Sequence, residues 1–340
     1  MKEGRISGTF KAVILAGGSG ERFWPLSTPE RPKQFLRVFG GASLIRQAVS
    51  RLDGLVSPKD VFVVTAKNLV AATRRELPEI PKCNILGEPM RRDTGAAVAL
   101  GVGLAASDSD PVIGFFSSDQ MVSNPKAFRK VVSKAVAIAR RKQVIVTLGI
   151  KPTYPATCFG YISPKTRTFI EKPDEKTAKK YVKAGYLWNA GMFIARASTF
   201  RGAFAAHAPV LERLTRLGTG GTCGTGATDG LAKLYSALPK ISFDYAVMEK
   251  SKNVEVVPCD FGWDDVGSFA AFDKYFPHDS RGNVREGPCT VVEADGNICV
   301  ARSARISLLG VKNLVVVTTP DSVLVADKSR LTDMKKLFKK

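Results

Sequence analysis

The apolar run Ala12 to Leu15 empties directly into a glycine loop, Gly17, Gly18 and Gly20, and this junction most narrows the folds open to the chain. A buried strand ending on glycines suits an α/β sheet, because the glycines let the backbone turn sharply and bring its N–H groups close to an anion. The same pattern continues downstream. Apolar runs near 11–15, 61–65, 83–86, 112–117 and 143–149 alternate with amphipathic segments near 43–53, 67–77, 94–106 and 125–141. Such alternation predicts an α/β fold with a mixed, mostly parallel sheet covered on both faces. Ligands on open sheets of this kind bind beyond the carboxyl ends of the strands. The glycine loop and the Ser117-Ser118-Asp119-Gln120 segment are both expected there.

Composition excludes several classes. At 340 residues, 44% hydrophobic and 24% charged, the chain can bury a full core. The first ten residues lack an apolar signal core, and no stretch approaches the length of a membrane-spanning helix, so a cytoplasmic protein without membrane attachment is expected. Cys83, Cys158, Cys223, Cys259, Cys289 and Cys299 stand singly, without zinc spacing. The formal charge of +20 suits anionic ligands. Its lysines and arginines lack the aromatic interleaving of an RNA-binding sheet, and no nucleic-acid partner is expected.

Beyond residue 155 the pattern is mixed, with FGYI, TFIEKP and WNAGMFIAR reading as strands. Residues 218–230, GTGGTCGTGATDG, read as a mobile loop or linker. Short β-rich runs broken by Gly, Asn and Asp follow residue 280. A boundary is therefore expected there: 1–280 as the larger domain and 281–340 as a small β domain with a basic terminal helix.

The loop spelling excludes two familiar phosphate sites. No Gly-Lys followed by Ser or Thr makes a Walker A loop, and Phe23 occupies the last glycine position of a dinucleotide fingerprint. What remains is Leu15, Gly17, Gly18, Gly20, Arg22, Pro25 and Leu26, followed by Pro32 and Lys33. This pattern resembles the signature of the sugar-phosphate nucleotidylyltransferases, and the FWPLS and PKQFL spellings resemble their mannose-1-phosphate guanylyltransferase branch. The resemblance runs from Ala12 to about Lys335. It implies a Rossmann-like nucleotidyltransferase domain that joins GTP to mannose 1-phosphate, releasing diphosphate and forming GDP-mannose.

By the same resemblance, Leu15, Ala16, Gly17, Gly18 and Gly20 cradle the nucleotide. Arg22 contacts the departing phosphates, while Lys33 stabilises charge at the α phosphorus. Asp119 and Asp265 are the implied ligands of Mg²⁺, an ion that prefers oxygen donors; the WxDVGS pattern favours Asp265 over Asp264. Glu88 and Arg92 are candidates for framing guanine, and Thr94 for capping the following helix. Gly160, Glu171, Lys172 and Asn189 form the implied sugar-phosphate side. Phe243, Ala246 and Val247 recur at helical spacing and read as core, with Asp244 a candidate bridge toward the site. Gln120, where many relatives have His, and Asp93-Thr94-Gly95-Ala96-Ala97, where relatives have Asn-Thr-Ala-Pro-Ala, depart from the family pattern. Another sugar or base, or a regulatory subunit without turnover, remains open at this stage, as does a homodimer.

Overall fold

In the computed structural model, which describes residues 10–18, 20–106, 110–217 and 227–338, the opening apolar run is strand β1 (Phe10–Ala16). The packing resolves into two units, one formed by Met1–Gly17 with Arg46–Trp263 and the other by Gly18–Ile45 with Asp264–Lys340.

The first unit carries α1 (Leu44–Ser50, which begins in the second unit), β2 (Val61–Ala66), α2 (Val70–Glu76), β3 (Ile85–Glu88), α3 (Asp93–Ala105), β4 (Val112–Ser117) and β5 (Met121–Val122). It continues through α4 (Pro125–Arg141), β6 (Ile145–Ile150), β7 (Tyr161–Ile162), β8 (Phe169–Ile170), α5 (Glu175–Lys183) and β9 (Leu187–Arg196). Helices α6 (Ala197–His207), α7 (Pro209–Glu212) and α8 (Ala227–Ser236), then β10 (Val254–Cys259), complete it, and β11 (Trp263–Asp264) leads out.

The main sheet runs β10-β6-β9-β4-β1-β2-β3. Strand β1 pairs in parallel with both β2 and β4, and β9 is antiparallel to β4 and β6. Chain order therefore reverses between β1 and β4, where an open sheet leaves a crevice beyond its strand ends. Helix α3, almost entirely Gly, Ala, Val and Leu, is buried all round, as such composition requires. Its glycines admit close neighbours: a Cβ on Gly101 would lie 2.7 Å from the Phe115 ring and 2.9 Å from Val13. Helix α4 is amphipathic, opens on Pro125 and is capped by Asn124, whose Oδ1 accepts the Ala127 N–H at 3.0 Å.

One expectation needs correction. Part of 218–230 lies outside the described residues, but Ala227 to Gly230 open helix α8 rather than continuing a linker. Residues Asp244–Met248 form a π-helical turn. Phe243, Ala246 and Val247 around it are nevertheless buried as core.

In the second unit, Phe23 and Phe39 of the early segment meet Phe269 and Phe272, with ring centroids 5.4 and 5.3 Å apart. This unit also contains α9 (Ala271–Tyr275), β12 (Val284–Glu286), β13 (Cys289–Val292), β14 (Ile298–Ala301), β15 (Ile306–Leu309), β16 (Leu314–Thr319) and β17 (Ser322–Asp327). Strands β12, β14 and β16 stack in parallel, as do β13 and β15, while β17 is antiparallel to β16. Buried Asn283 and Asn297 bridge successive coils: Asn297 Nδ2 donates to Asn283 Oδ1 at 2.9 Å, and Asn297 Oδ1 accepts the Leu314 N–H. The expected terminal helix is 3₁₀, Lys328–Phe338. Among the described residues, no helix is long and apolar enough to cross a membrane.

Candidate active site

In the first unit two of the candidate nucleotide residues, Gly17 and Glu88, meet beyond the ends of β1, β2 and β3. A pocket of about 580 Å³ there is lined by Gly17, Lys67, Asn68, Glu88, Met90 and Arg91, among others. Ala16 contributes its carbonyl to Thr65 Oγ1 and Leu15 its carbonyl to the Ser118 N–H, which ties the end of β1 to its neighbours. Glu88 is buried, and Tyr235 donates its hydroxyl to Glu88 Oε1 at 3.2 Å. Burial pushes the Glu88 carboxyl up to about 7.

Arg92 and Thr94 occupy other posts than those expected. Arg92 donates from Nε to the Tyr235 carbonyl at 2.8 Å and from Nη2 to the Ser236 carbonyl at 2.9 Å. Its guanidinium thus holds the last residues of α8, and the arginine lining the pocket is its neighbour Arg91. Thr94 does not cap α3, because it lies inside that helix; its Oγ1 accepts the Phe243 N–H at 2.9 Å. The departure at Gly95 has a steric reason, since a Cβ there would lie 2.6 Å from the Ile241 carbonyl oxygen. Asp93 adopts φ 64, a conformation Asp tolerates, and accepts the Thr94 N–H.

Asp119 follows β4 in a turn from Ser117 to Gln120, and Ser117 Oγ donates to Asp119 Oδ1 at 2.6 Å. Gln120 is buried, with Nε2 donating to the Ala190 carbonyl at 3.0 Å, so it acts as an anchor for the turn.

The four sugar-side candidates do converge. Asn189 N–H donates to the Gly160 carbonyl at 2.8 Å. Asn189 Oδ1 accepts from Thr147 Oγ1 at 2.8 Å and from the Gly191 N–H at 3.1 Å, which leaves Nδ2 to donate to Asp244 Oδ1 at 2.9 Å. Glu171 has a side chain only 6% exposed, paired with Lys172 at 2.7 Å. Gly160 makes room for it: a Cβ there would lie 2.5 Å from Glu171 Oε2. Asp244, named from the sequence only as a bridge, is part of this cluster; burial and the nearby Glu171 carboxylate push its carboxyl up to about 7.

In the second unit, Gly20 sits at φ 66, and a Cβ on it would lie 2.6 Å from both the backbone nitrogen and the Cβ of Lys33. No other residue fits that approach. The 3₁₀ turn Glu21–Phe23 then buries Phe23 and exposes Arg22. Lys33 is only 6% exposed, donates from Nζ to the Asp265 carbonyl at 2.7 Å and lies 5.9 Å from the Phe23 ring centroid. Around Gly267, a Cβ would lie 3.3 Å from Arg22 Nη1 and 3.5 Å from Asp265 Oδ2, so guanidinium and carboxylate flank that glycine. Asp264 is committed elsewhere: it accepts the Val266 N–H at 2.7 Å and pairs with Lys274 at 2.6 Å. Buried Val266 is held at φ 47, a strained conformation for a β-branched residue, directly after Asp265.

Sequence reasoning missed Arg51, Tyr235, Lys67 and Arg91. Among the described residues, no three His, Cys, Asp or Glu side chains gather as a metal cage. The carboxylate oxygens of Asp119, in the first unit, and of Asp265, in the second, are each donors of the kind a hard divalent cation prefers.

Comparisons with known proteins show the family to which the chain belongs. A nucleotidyl transferase model matches residues 11–281, and a model of the MannoseP isomerase/GMP-like beta-helix domain matches residues 287–340. The chain is 34% identical to the mannose-1-phosphate guanylyltransferase of Escherichia coli (strain K12), covering 96% of this chain and 72% of that protein. The xanthan biosynthesis protein XanB of Xanthomonas campestris is also 34% identical, with the same coverage. A crystal structure described as mannose-1-phosphate geranyltransferase from Thermus thermophilus superposes with a TM-score of 0.86 at 34% identity, covering 97% of this chain and 98% of that one. One described as mannose-6-phosphate isomerase from Helicobacter pylori gives 0.63 at 26% identity, covering 75% and 99%. With one family model spanning residues 11–281 and curated relatives 34% identical over nearly its whole length, the chain belongs to the nucleotidyl transferase family, in its mannose-1-phosphate guanylyltransferase group.

Proposed function

We propose that this chain converts GTP and α-D-mannose 1-phosphate to GDP-mannose and diphosphate. The observation that carries this reading is the 34% identity to curated mannose-1-phosphate guanylyltransferases along 96% of the chain. The sugar phosphate is ionised near neutral pH, so its oxygen attacks the α phosphorus in line without a general base. Catalysis then rests on positioning and electrostatics.

The glycine loop from Leu15 to Gly20 supplies backbone N–H groups to the triphosphate. Arg22, exposed on its turn, neutralises the departing diphosphate, and Lys33 meets the charge that builds at the α phosphorus. Glu88 accepts the ring N–H and amino protons of guanine, the donors that an adenine lacks in that arrangement, with Arg92 acting behind it through the Tyr235 carbonyl. On the sugar side, Glu171 and Asn189 take the hydroxyls and Lys172 the phosphate, with Gly160 keeping the floor open. Asp119, in the first unit, and Asp265, in the second, are each candidate ligands for Mg²⁺. When bound, that ion neutralises phosphate oxygens and orients the triphosphate for in-line displacement. Phosphorylated substrates that do not cross membranes suit action in the cytoplasm.

Phosphorus NMR of purified protein with GTP, mannose 1-phosphate and Mg²⁺ tests this directly. The paired diphosphate-ester resonances of GDP-mannose are expected, and they should vanish in Lys33→Ala. Growth of GDP and free phosphate instead would mean hydrolysis and overturn the assignment.

A further inference from the structure

Arg51, which plays no part in the reading above, lies beneath the turn that presents Asp119. It directly follows α1 and is only 4% exposed. Burying a guanidinium removes it from water at an expense that needs specific partners to offset it. Its partners are two backbone carbonyls: Nη2 donates to Ser117 at 2.7 Å and Nη1 to Gln120 at 3.1 Å. One planar, rigid fork therefore grips both ends of a four-residue turn whose third residue is Asp119. The Phe128 ring faces the guanidinium at 5.4 Å and fixes its plane from one side.

Two further anchors act on the same turn, the Ser118 N–H on the Leu15 carbonyl at 3.1 Å and the Gln120 side chain on the Ala190 carbonyl. The backbone on either side of Asp119 is thus held at several points. Arg51 also interacts electrostatically with Asp119. A residue needed only to fill this space would be apolar, since well-packed apolar replacements of buried ions are often neutral or stabilising.

We propose that Arg51 is a positioning residue for nucleotidyl transfer: it clamps the Ser117–Gln120 turn so that the Asp119 carboxylate is held in the orientation a divalent cation requires. The proposal rests on the reading of Asp119 as a metal ligand. Partners that orient a metal ligand from behind are worth about tenfold to a hundredfold in metal affinity or activity.

The test uses the full chain with GTP and Mn²⁺, with free Mn²⁺ read by electron paramagnetic resonance, alongside kcat and GTP KM at saturating metal. Arg51→Lys keeps the charge and the contact with Phe128 but loses the fork; Arg51→Met removes the charge as well. In Arg51→Lys, Mn²⁺ affinity and kcat should each fall about tenfold, with GTP KM nearly unchanged. Arg51→Met should fall further, and if it does not fold, Arg51→Lys carries the test. A lowered melting temperature with parental Mn²⁺ affinity and kcat would reduce Arg51 to a packing residue and overturn the proposal. Asp119→Asn separates the two claims: parental Mn²⁺ affinity in that variant would remove the metal assignment and the positioning role with it. Impairment in Asp119→Asn with no effect in Arg51→Lys would remove the positioning role alone.

Discussion

Replacing Glu88 with Gln should stabilise the ligand-free protein while damaging it as an enzyme, and the stabilisation should grow with pH. The Glu88 carboxyl stands at about 7 in the folded chain against an ordinary 4.5, with burial as the first cause. A carboxyl raised on folding binds more protons folded than unfolded between those two values, so its contribution to stability declines as pH rises through that window. Integrated over 2.5 pH units, the penalty reaches about 3 kcal/mol above pH 7 and is under about 1 kcal/mol at pH 5. Gln keeps an acceptor for Tyr235 and carries no charge. The stability difference between Glu88→Gln and parent should therefore widen by about 2.5 kcal/mol from pH 5 to pH 8, or about 5 to 10 °C in melting temperature for a unit of this size. Scanning calorimetry of both proteins at the two pH values reads this, and GTP KM should rise about tenfold because a carboxylate acceptor for guanine is lost. A pH-independent stability difference would refute the claim that Glu88 is a carboxylate held in a poorly hydrated site at the expense of stability.

Four other substitutions follow from the geometry. Gly160→Ala would press a methyl to within 2.5 Å of Glu171 Oε2, so the mannose 1-phosphate KM should rise about tenfold with little change for GTP; equal effects on both substrates would argue against a dedicated sugar site. Gly20→Ala meets Lys33 backbone in a left-handed conformation, and a stability loss of about 1 to 3 kcal/mol with a large fall in kcat is expected from urea titration and steady-state rates; a neutral result would mean that the loop is freely deformable. Asp264→Asn, which leaves an acceptor for the Val266 N–H, should retain most activity, whereas Asp265→Asn should lose about a hundredfold or more in kcat; the reverse order would exchange their roles.

The sheet was legible because its strands are continuous apolar runs that end on Gly or Ser-Ser-Asp, local signals that need no knowledge of neighbours. Spelling also pointed to Gly20, Lys33 and Glu171, whose close approaches the structure makes visible. Arg51 left no such trace: one basic residue after an amphipathic helix looks solvated until the β1–β4 order brings Ser117 and Gln120 over it. Arg92 and Thr94 sit in the right segment, but their partners, Tyr235, Ser236 and Phe243, are more than 140 residues away in the chain and follow no local periodicity. Glycines suggested a loop through residue 230, yet Ala227 to Gly230 enter α8, because packing of the later Leu and Tyr residues outweighs a modest local preference. The grouping of 18–45 with the C-terminal segment is likewise set by distant aromatic pairs such as Phe23–Phe269.

The most direct measurement is diphosphate release across a grid of the four nucleoside triphosphates against mannose, glucose and related sugar 1-phosphates, with Mg²⁺ present. A single maximum at GTP with mannose 1-phosphate is the predicted result. A maximum at another pair, or nucleotide-sugar binding with no turnover anywhere on the grid, would contradict it.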